Sequence, residues 1–265
     1  MAETSAEPGF VDRHIGSDAT DIEAMLATIG RASVADLIRA TVPAAILRPV
    51  DLNLPPARTE VEALEALAAM AASNRPLRSM IGMGYHDTIT PPVIQRNVLE
   101  NPAWYTAYTP YQPEIAQGRL EALINFQTAI SDLTGMEIAN ASLLDEGTAA
   151  AEAMALSHSV SRVHDGNLIL VDADTHPQTI AVLRTRAAPL EIEVVVDAPA
   201  ALLARAAGPA DGERPYAMLL SNPGSSGAVR DLRADIEAAH AAGVLVTVAT
   251  DPLAAVLLES PGAQG

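Results

Sequence analysis

At 265 residues the chain has the length for one large domain or two small ones, each with a buried core. Its formal net charge of −17 is spread along the sequence with no basic cluster, which excludes nucleic acid as a natural partner. Only two Phe and one Trp are present, so aliphatics must build the core; the apolar runs are too short to span a bilayer, and the absence of cysteine removes disulfides, thiolate nucleophiles and Cys-bound zinc.

Residues 1–7 have neither the positive nor the apolar segment of a secretory signal, and the chain reads as cytoplasmic. Residues 1–20 are polar, with Arg13-His14-Ile15-Gly16 as the first patterned piece. Thr20 and Glu23 stand at capping-box spacing, and Ile22, Met25, Leu26 and Ile29 recur helically up to Gly30, which predicts a short amphipathic helix. Ser33 and Asp36 open a second helix carrying Leu37 and Ile38, ended by Pro43, and Pro49, Pro55 and Pro56 mark an extended connector. Thr59 and Glu62 cap a third, with Val61, Leu64, Leu67, Ala68 and Ala71 on one face and its end near Asn74. These helices are too small and too Ala-rich to make a core alone, so they pack on something else. Residues 1–80 are therefore read as an N-terminal helical segment and 81–265 as a separate domain.

That domain opens on a glycine-punctuated turn, Gly82-Met83-Gly84-Tyr85-His86-Asp87, and Pro91-Pro92 leads into a helix with Val93, Ile94, Val98 and Leu99. Trp104, Tyr105, Tyr108 and Tyr111 then fall within eight residues, followed or interrupted by Pro110 and Pro113, which forbid a regular helix. The prolines also restrict the unfolded chain and so lower the cost of ordering this loop. The three phenols, with Gln112, Glu114 and Gln117, offer donors and acceptors to a small polar ligand; the alternative is an aromatic plug over a helix layer. Leu120, Leu123, Ile124, Ile130 and Leu133 predict a helix over 119–134 that Gly135 stops, and an Ala-rich helix opens near Glu146 and runs to about Ser161.

From there strands and helices alternate: strand 168–171, helix 176–186, strand 191–196, helix 198–207, strand 216–220, helix 232–242 and strand 244–249. Strands that read as continuous apolar runs between helices argue a parallel sheet covered on both faces, an α/β fold. Ligands in such sheets sit beyond the carboxyl ends of the strands. Those ends carry Asp172-Ala173-Asp174-Thr175-His176, Ser221-Asn222-Pro223-Gly224 and Thr250-Asp251. Glu146-Gly147-Thr148 opens a helix and is either an anion seat or an ordinary cap. His176 either stacks on a flat ring or is a surface or capping residue, and Asp251 either pairs with a pyridinium nitrogen or caps the element that Pro252 begins. Phosphate seat, ring stacker and carboxylate stand in the chain order of an aminotransferase-type sheet. The histidines show no metal-ligand spacing, so no metal is expected, and GxSxG, Walker A and GxGxxG sequences are absent. All sixteen basic residues are Arg; without lysine, no Schiff base with a carbonyl cofactor forms on a side chain of this polypeptide.

Arg13-His14-Ile15-Gly16, Ile81-Gly82-Met83-Gly84-Tyr85, the run from Asn101-Pro102 through Trp104-Tyr105, Tyr108-Thr109-Pro110-Tyr111-Gln112-Pro113-Glu114-Ile115 and Gln117-Gly118-Arg119-Leu120, and Asn140-Ala141-Ser142-Leu143-Leu144-Asp145-Glu146-Gly147-Thr148 closely resemble the P-protein of the glycine cleavage system. The likeness extends from about residue 10 to the end and falls on the front part of the first of that family's two related halves. It implies a fold type I, aminotransferase-like large domain, here incomplete and cut at its C-terminus, behind the helical segment. It further implies a pyridoxal 5'-phosphate enzyme, glycine dehydrogenase (aminomethyl-transferring), which decarboxylates glycine and passes the aminomethyl group to the lipoyl arm of the H-protein. T-protein and L-protein are the other system components, and the halves occur as a homodimer of fused chains or as a split two-subunit assembly. The family's Schiff-base lysine lies in the second half, so this chain is expected to be inactive alone, with no catalytic residue of its own. The resemblance assigns Tyr105, Tyr108, Tyr111, Gln112, Glu114 and Gln117 to shaping the glycine site, and makes Glu146, Gly147, Thr148, His176 and Asp251 a cofactor-cradle-like set, vestigial in a lysine-free half. A scaffolding or dimerisation piece for a separately encoded catalytic half, and another fold type I enzyme, are the alternatives; fold alone would not supply the tyrosine-proline block.

Overall fold

The computed structural model describes residues 10–48, 50, 52–105, 109–163, 166–208 and 214–265. They fall into two units, Met1–Arg78 and Ser79–Gly265.

The first unit carries α1 (Phe10–His14), α2 (Ala19–Thr28), α3 (Val34–Thr41) and α4 (Glu60–Ala72). The caps at Ser33 and Thr59 form as expected: Ser33 Oγ accepts the Asp36 N–H at 3.1 Å, and Glu62 returns a carboxylate to the Thr59 N–H at 2.7 Å. That backbone bond, with the Thr59 hydroxyl, holds Glu62 below the usual carboxylate range. The box of α2 differs from the Thr20/Glu23 expectation. Asp18 in extended backbone is the cap, accepting the Asp21 N–H at 2.9 Å, and Asp is as good an N-cap as Thr, so the earlier residue starts the helix. Gly30 follows α2 in the left-handed region, φ 68°. Among the described residues of this unit no side chain is buried.

The second unit begins with α5 (Pro92–Ile94), which runs into a π-helical turn at Gln95–Leu99, followed by α6 (Pro102–Tyr105), α7 (Gln117–Thr134) and α8 (Glu146–Val160). Then β1 (Leu168–Asp172), α9 (Pro177–Ala187), β2 (Glu193–Asp197), α10 (Pro199–Ala207), β3 (Pro215–Ser221), α11 (Arg233–Ala241), β4 (Leu245–Ala249), α12 (Pro252–Leu257) and α13 (Pro261–Gln264) complete the chain. The expected strand at 191 starts later because Glu191, φ 56°, closes the 3-10 turn Ala188–Leu190 in left-handed backbone.

All strand pairs are parallel and the order is β2-β1-β3-β4. Alternation along the strands feeds two cores. Ile169, Val171, Ala217 and Leu219 face Ala150, Ala151 and Met154 of α8 and Leu183 and Ala187 of α9. Leu168, Leu170, Met218 and Leu220 face Leu202 and Ala206 of α10 and Ile236 and Ala239 of α11. Each fully buried aliphatic side chain in these layers contributes roughly 1.5–3 kcal/mol. The chain leaves β1 for β2 on one side and comes back past β1 to β3 on the other, so the topological switch lies between the carboxyl ends of β1 and β3.

Candidate functional site

A cleft of about 780 Å³ opens at that switch, lined among others by Gly84, His86, Glu146, His176, Ser225 and Asp251. Behind Ser221, which lines it, lies an ion pair. Asp172, at the end of β1 with its side chain 1% exposed, accepts from the guanidinium of Arg230. Arg230 Nη2 also donates to the Ser221 carbonyl at 2.8 Å, while the Arg230 N–H donates to Asn222 Oδ1 at 3.0 Å and the Arg230 carbonyl accepts from Asn222 Nδ2 at 2.9 Å. One residue from the loop after β3 thus joins the ends of both central strands. β1 runs one residue past its apolar run because this pairing satisfies Asp172.

Asp174 builds the next layer. Its carboxylate accepts the Ser226 N–H at 2.8 Å and the Ser226 hydroxyl at 2.7 Å, and its carbonyl accepts the Ser225 N–H at 2.7 Å. Gly224 lies against it so closely that a Cβ there would stand 2.3 Å from Asp174 Oδ2, so only glycine fits. Ser225 Oγ lies 2.9 Å from Nδ1 of His176 and fixes the imidazole. On the other side of that ring, a Cβ at Gly84 would be 3.4 Å from Nε2. Gly84 belongs to a turn in which the Tyr85 N–H donates to the Gly82 carbonyl at 2.9 Å and Met83, φ 53°, occupies left-handed backbone that is costly for its side chain. Gln178 Nε2 donates to the Met83 carbonyl at 3.0 Å and clamps the turn to the start of α9.

At the mouth of α8 the ordinary cap is what forms. Asp145 accepts the Thr148 N–H at 2.7 Å and the Thr148 hydroxyl at 2.6 Å, and these bonds, the hydroxyl first, hold its carboxyl below the usual range. Glu146 accepts the Thr179 hydroxyl at 3.2 Å and faces the cleft, and Gly147 packs where a Cβ would be 3.1 Å from Val182 Cγ2. Asp251 likewise caps α12, accepting the Leu253 N–H at 2.8 Å with Pro252 as the first helical residue. Glu146, His176 and Asp251 are therefore brought together on one cleft, and Gly147 and Thr148 stand just behind its rim.

The tyrosine loop is placed elsewhere. Tyr105 and Tyr111 are 65% and 78% exposed, Gln112, Glu114 and Gln117 are exposed, and none of them lines the cleft; Tyr108 lies outside the described residues. Arg119 Nη2 donates to the Ala103 carbonyl at 2.8 Å, joining the two flanks of the loop. Sequence reasoning missed Arg230, Ser225 and Ser226, whose partners are about fifty residues away; the only local signal was the acidic pair Asp172 and Asp174 directly after an apolar run. Among the described residues there is no group of three or more His, Asp or Glu able to hold a metal ion, and no helix long and apolar enough to cross a membrane.

The sequence profile of the family described as Glycine cleavage system P-protein matches residues 12–265. A glycine dehydrogenase (decarboxylating) from Gluconobacter oxydans is 58% identical over 256 residues, which is 97% of this chain and 26% of that protein. One from a Nostoc species is 55% identical over 257 residues, 97% of this chain and 25% of its own length. A crystal structure of glycine decarboxylase (P-protein) of the glycine cleavage system, in inhibitor-bound form, superposes with a TM-score of 0.80 at 37% identity, covering 94% of this chain and 56% of that one. The chain thus spans about a quarter of the length of the curated relatives it matches.

Proposed function

This chain belongs to the glycine cleavage system P-protein family, as its N-terminal part, and from that premise we propose that it supplies one part of a glycine-decarboxylating enzyme whose cofactor lysine lies on polypeptide outside it. The observation that carries the reading is 58% identity over 97% of the chain to a protein named for that reaction.

The family's pyridoxal 5'-phosphate does not fit the cleft of this chain as a covalently held group. There is no lysine. The N-terminus of α8 is already capped by the Asp145 carboxylate, and Glu146 and Asp251 line the cleft where a phosphate would need cations or free N–H groups. No step of the reaction is therefore assigned to this cleft, and Glu146, Gly147, Thr148, His176 and Asp251 are read as packing and capping residues of a cradle that has lost its ligand.

The contribution of the chain is instead steric and positional. The exposed phenols Tyr105 and Tyr111, with Gln112, Glu114 and Gln117, border the glycine site completed by the lysine-bearing half, reading the substrate with hydroxyl and amide groups; Tyr108 joins them by its place in the motif. The lipoyl arm of the H-protein is the acceptor, with T-protein and L-protein acting downstream. The test is glycine-dependent exchange of labelled carbon dioxide, measured on this chain, on the rest of the Gluconobacter relative, and on the two together with lipoylated H-protein. Exchange is expected only when the lysine-bearing part is present and to rise on adding this chain; exchange by this chain alone overturns the reading.

A further inference from the structure

The cleft between the ends of β1 and β3 carries charge of the sign opposite to a phosphate cradle. All of its lining belongs to the second unit, and its volume of about 780 Å³ suits a small molecule. Ala150 and Leu219, both buried, give it an apolar inner wall. Further out stand the exposed carboxylates of Glu146, at the start of α8, and Asp251, after β4. Among the described residues, the only other titratable groups on its lining are the imidazoles of His86 and His176. Behind the lining, Asp172 and Arg230 neutralise each other, while Asp174, which accepts the Ser226 N–H, adds a further negative charge. A cleft of one charge sign over an apolar wall concentrates ligands of the other sign. Packing and capping use one oxygen of each lining carboxylate: Glu146 Oε1 accepts the Thr179 hydroxyl, and Asp251 Oδ1 accepts the Leu253 N–H. Glu146 Oε2 and Asp251 Oδ2 accept no bond among the described residues.

Resting on the reading above that the family's cofactor does not fit this cleft, we propose that the cleft instead binds a small organic amine, without a covalent bond. The ammonium donates charge-assisted hydrogen bonds to the carboxylate oxygens that packing and capping leave over, and the apolar body of the amine lies against Ala150 and Leu219. An anion is disfavoured twice: the carboxylates repel it, and the Thr148 N–H at the start of α8 is already taken by Asp145. A neutral molecule of the same shape gains only the apolar contacts. The cleft therefore selects by charge as well as by shape.

The test uses three probes that share one ring: pyridoxamine, which carries an ammonium; pyridoxine, which carries a hydroxyl in its place; and pyridoxamine 5'-phosphate, which adds a phosphate to the amine. Binding to the full chain, kept dilute to limit association of copies, is followed by saturation-transfer NMR titration of each probe. Pyridoxamine is expected to bind roughly tenfold more tightly than either of the others. Glu146→Gln keeps a good helix former and an oxygen for the Thr179 hydroxyl, and Asp251→Asn keeps an N-cap; each is expected to weaken pyridoxamine binding about fivefold. Glu237→Gln on α11, which does not line the cleft, is expected to leave it unchanged. Where a variant fails to fold, the three probes on the unaltered chain decide. Equal binding of pyridoxine shows ring contacts alone, and an equal loss in Glu237→Gln shows diffuse attraction to a chain of charge −17; either result, or no binding of any probe, overturns the proposal. Equal or tighter binding of pyridoxamine 5'-phosphate overturns it together with the reading that the cofactor does not fit. Failure of the carbon dioxide exchange test alongside selective pyridoxamine binding overturns the proposed function and leaves the amine site standing, and exchange without that binding does the reverse.

Discussion

Replacing Arg230 by Leu would strand the Asp172 carboxylate at the end of β1. Asp172 is 1% exposed, and without the guanidinium its remaining contacts are the Asp174 N–H at 3.0 Å and a long one to the Ser221 N–H at 3.4 Å. Removing one partner of a buried pair costs about 3–5 kcal/mol, since the other is left charged and unpaired. Arg230 is itself 26% exposed, so water reaches its side of the pair and the lower end, about 3 kcal/mol, is expected. For a domain of this size that lowers Tm by roughly 6–12 °C. The double variant Asp172→Asn, Arg230→Leu leaves no bare charge and is expected to lose less than Arg230→Leu alone. Urea denaturation followed by far-UV circular dichroism on the two single variants and the double closes the cycle. A single-variant loss below about 1 kcal/mol, or strictly additive losses, would refute the claim that this pair holds β1 and β3 together at the cleft.

Tyr216 is fully buried with no partner for its hydroxyl among the described residues, and burial pushes its pKa up, so Tyr216→Phe is expected to be neutral or to stabilise by up to about 1 kcal/mol, read by the same denaturation. Asp145 has a folded-state pKa below its unfolded value, so its cap contributes stability that is present above the ordinary Asp range and lost as pH falls through the folded pKa. The protection of the Thr148 amide, its exchange rate compared with that of an unstructured amide at the same pH, should therefore fall in acid, and Asp145→Ala should abolish that dependence. Gly224→Ala would push a methyl into Asp174 and is expected to cost about 1–3 kcal/mol, with the 222–227 loop displaced in a crystal structure of the variant. Because β4 presents an unpaired edge among the described strands, the chain expressed alone should aggregate; light scattering that shows clean monomer at high concentration would contradict this.

What the amino-acid order determined by itself was local. Ser33 and Thr59 cap because their partners are three residues on, and the strands at 168 and 216 were legible because an unbroken apolar run buried on both faces is a pattern within a few residues. The tyrosine-proline block named the family because it is dense and continuous. Long-range proximity was not legible. That β3 lies beside β1 rather than β2, that Arg230 reaches Asp172 across 58 positions, and that Ser225 meets His176 across 49 all depend on the hand and order of the crossovers. The same limit governs the candidate site. Its residue types were visible at the strand ends, but whether Glu146-Gly147-Thr148 would receive an anion or be closed by Asp145 was decided by cap geometry and by the Glu146 and Asp251 carboxylates that the fold gathers on the cleft, since a helix N-terminus offers its N–H groups only to what the tertiary structure lets reach them.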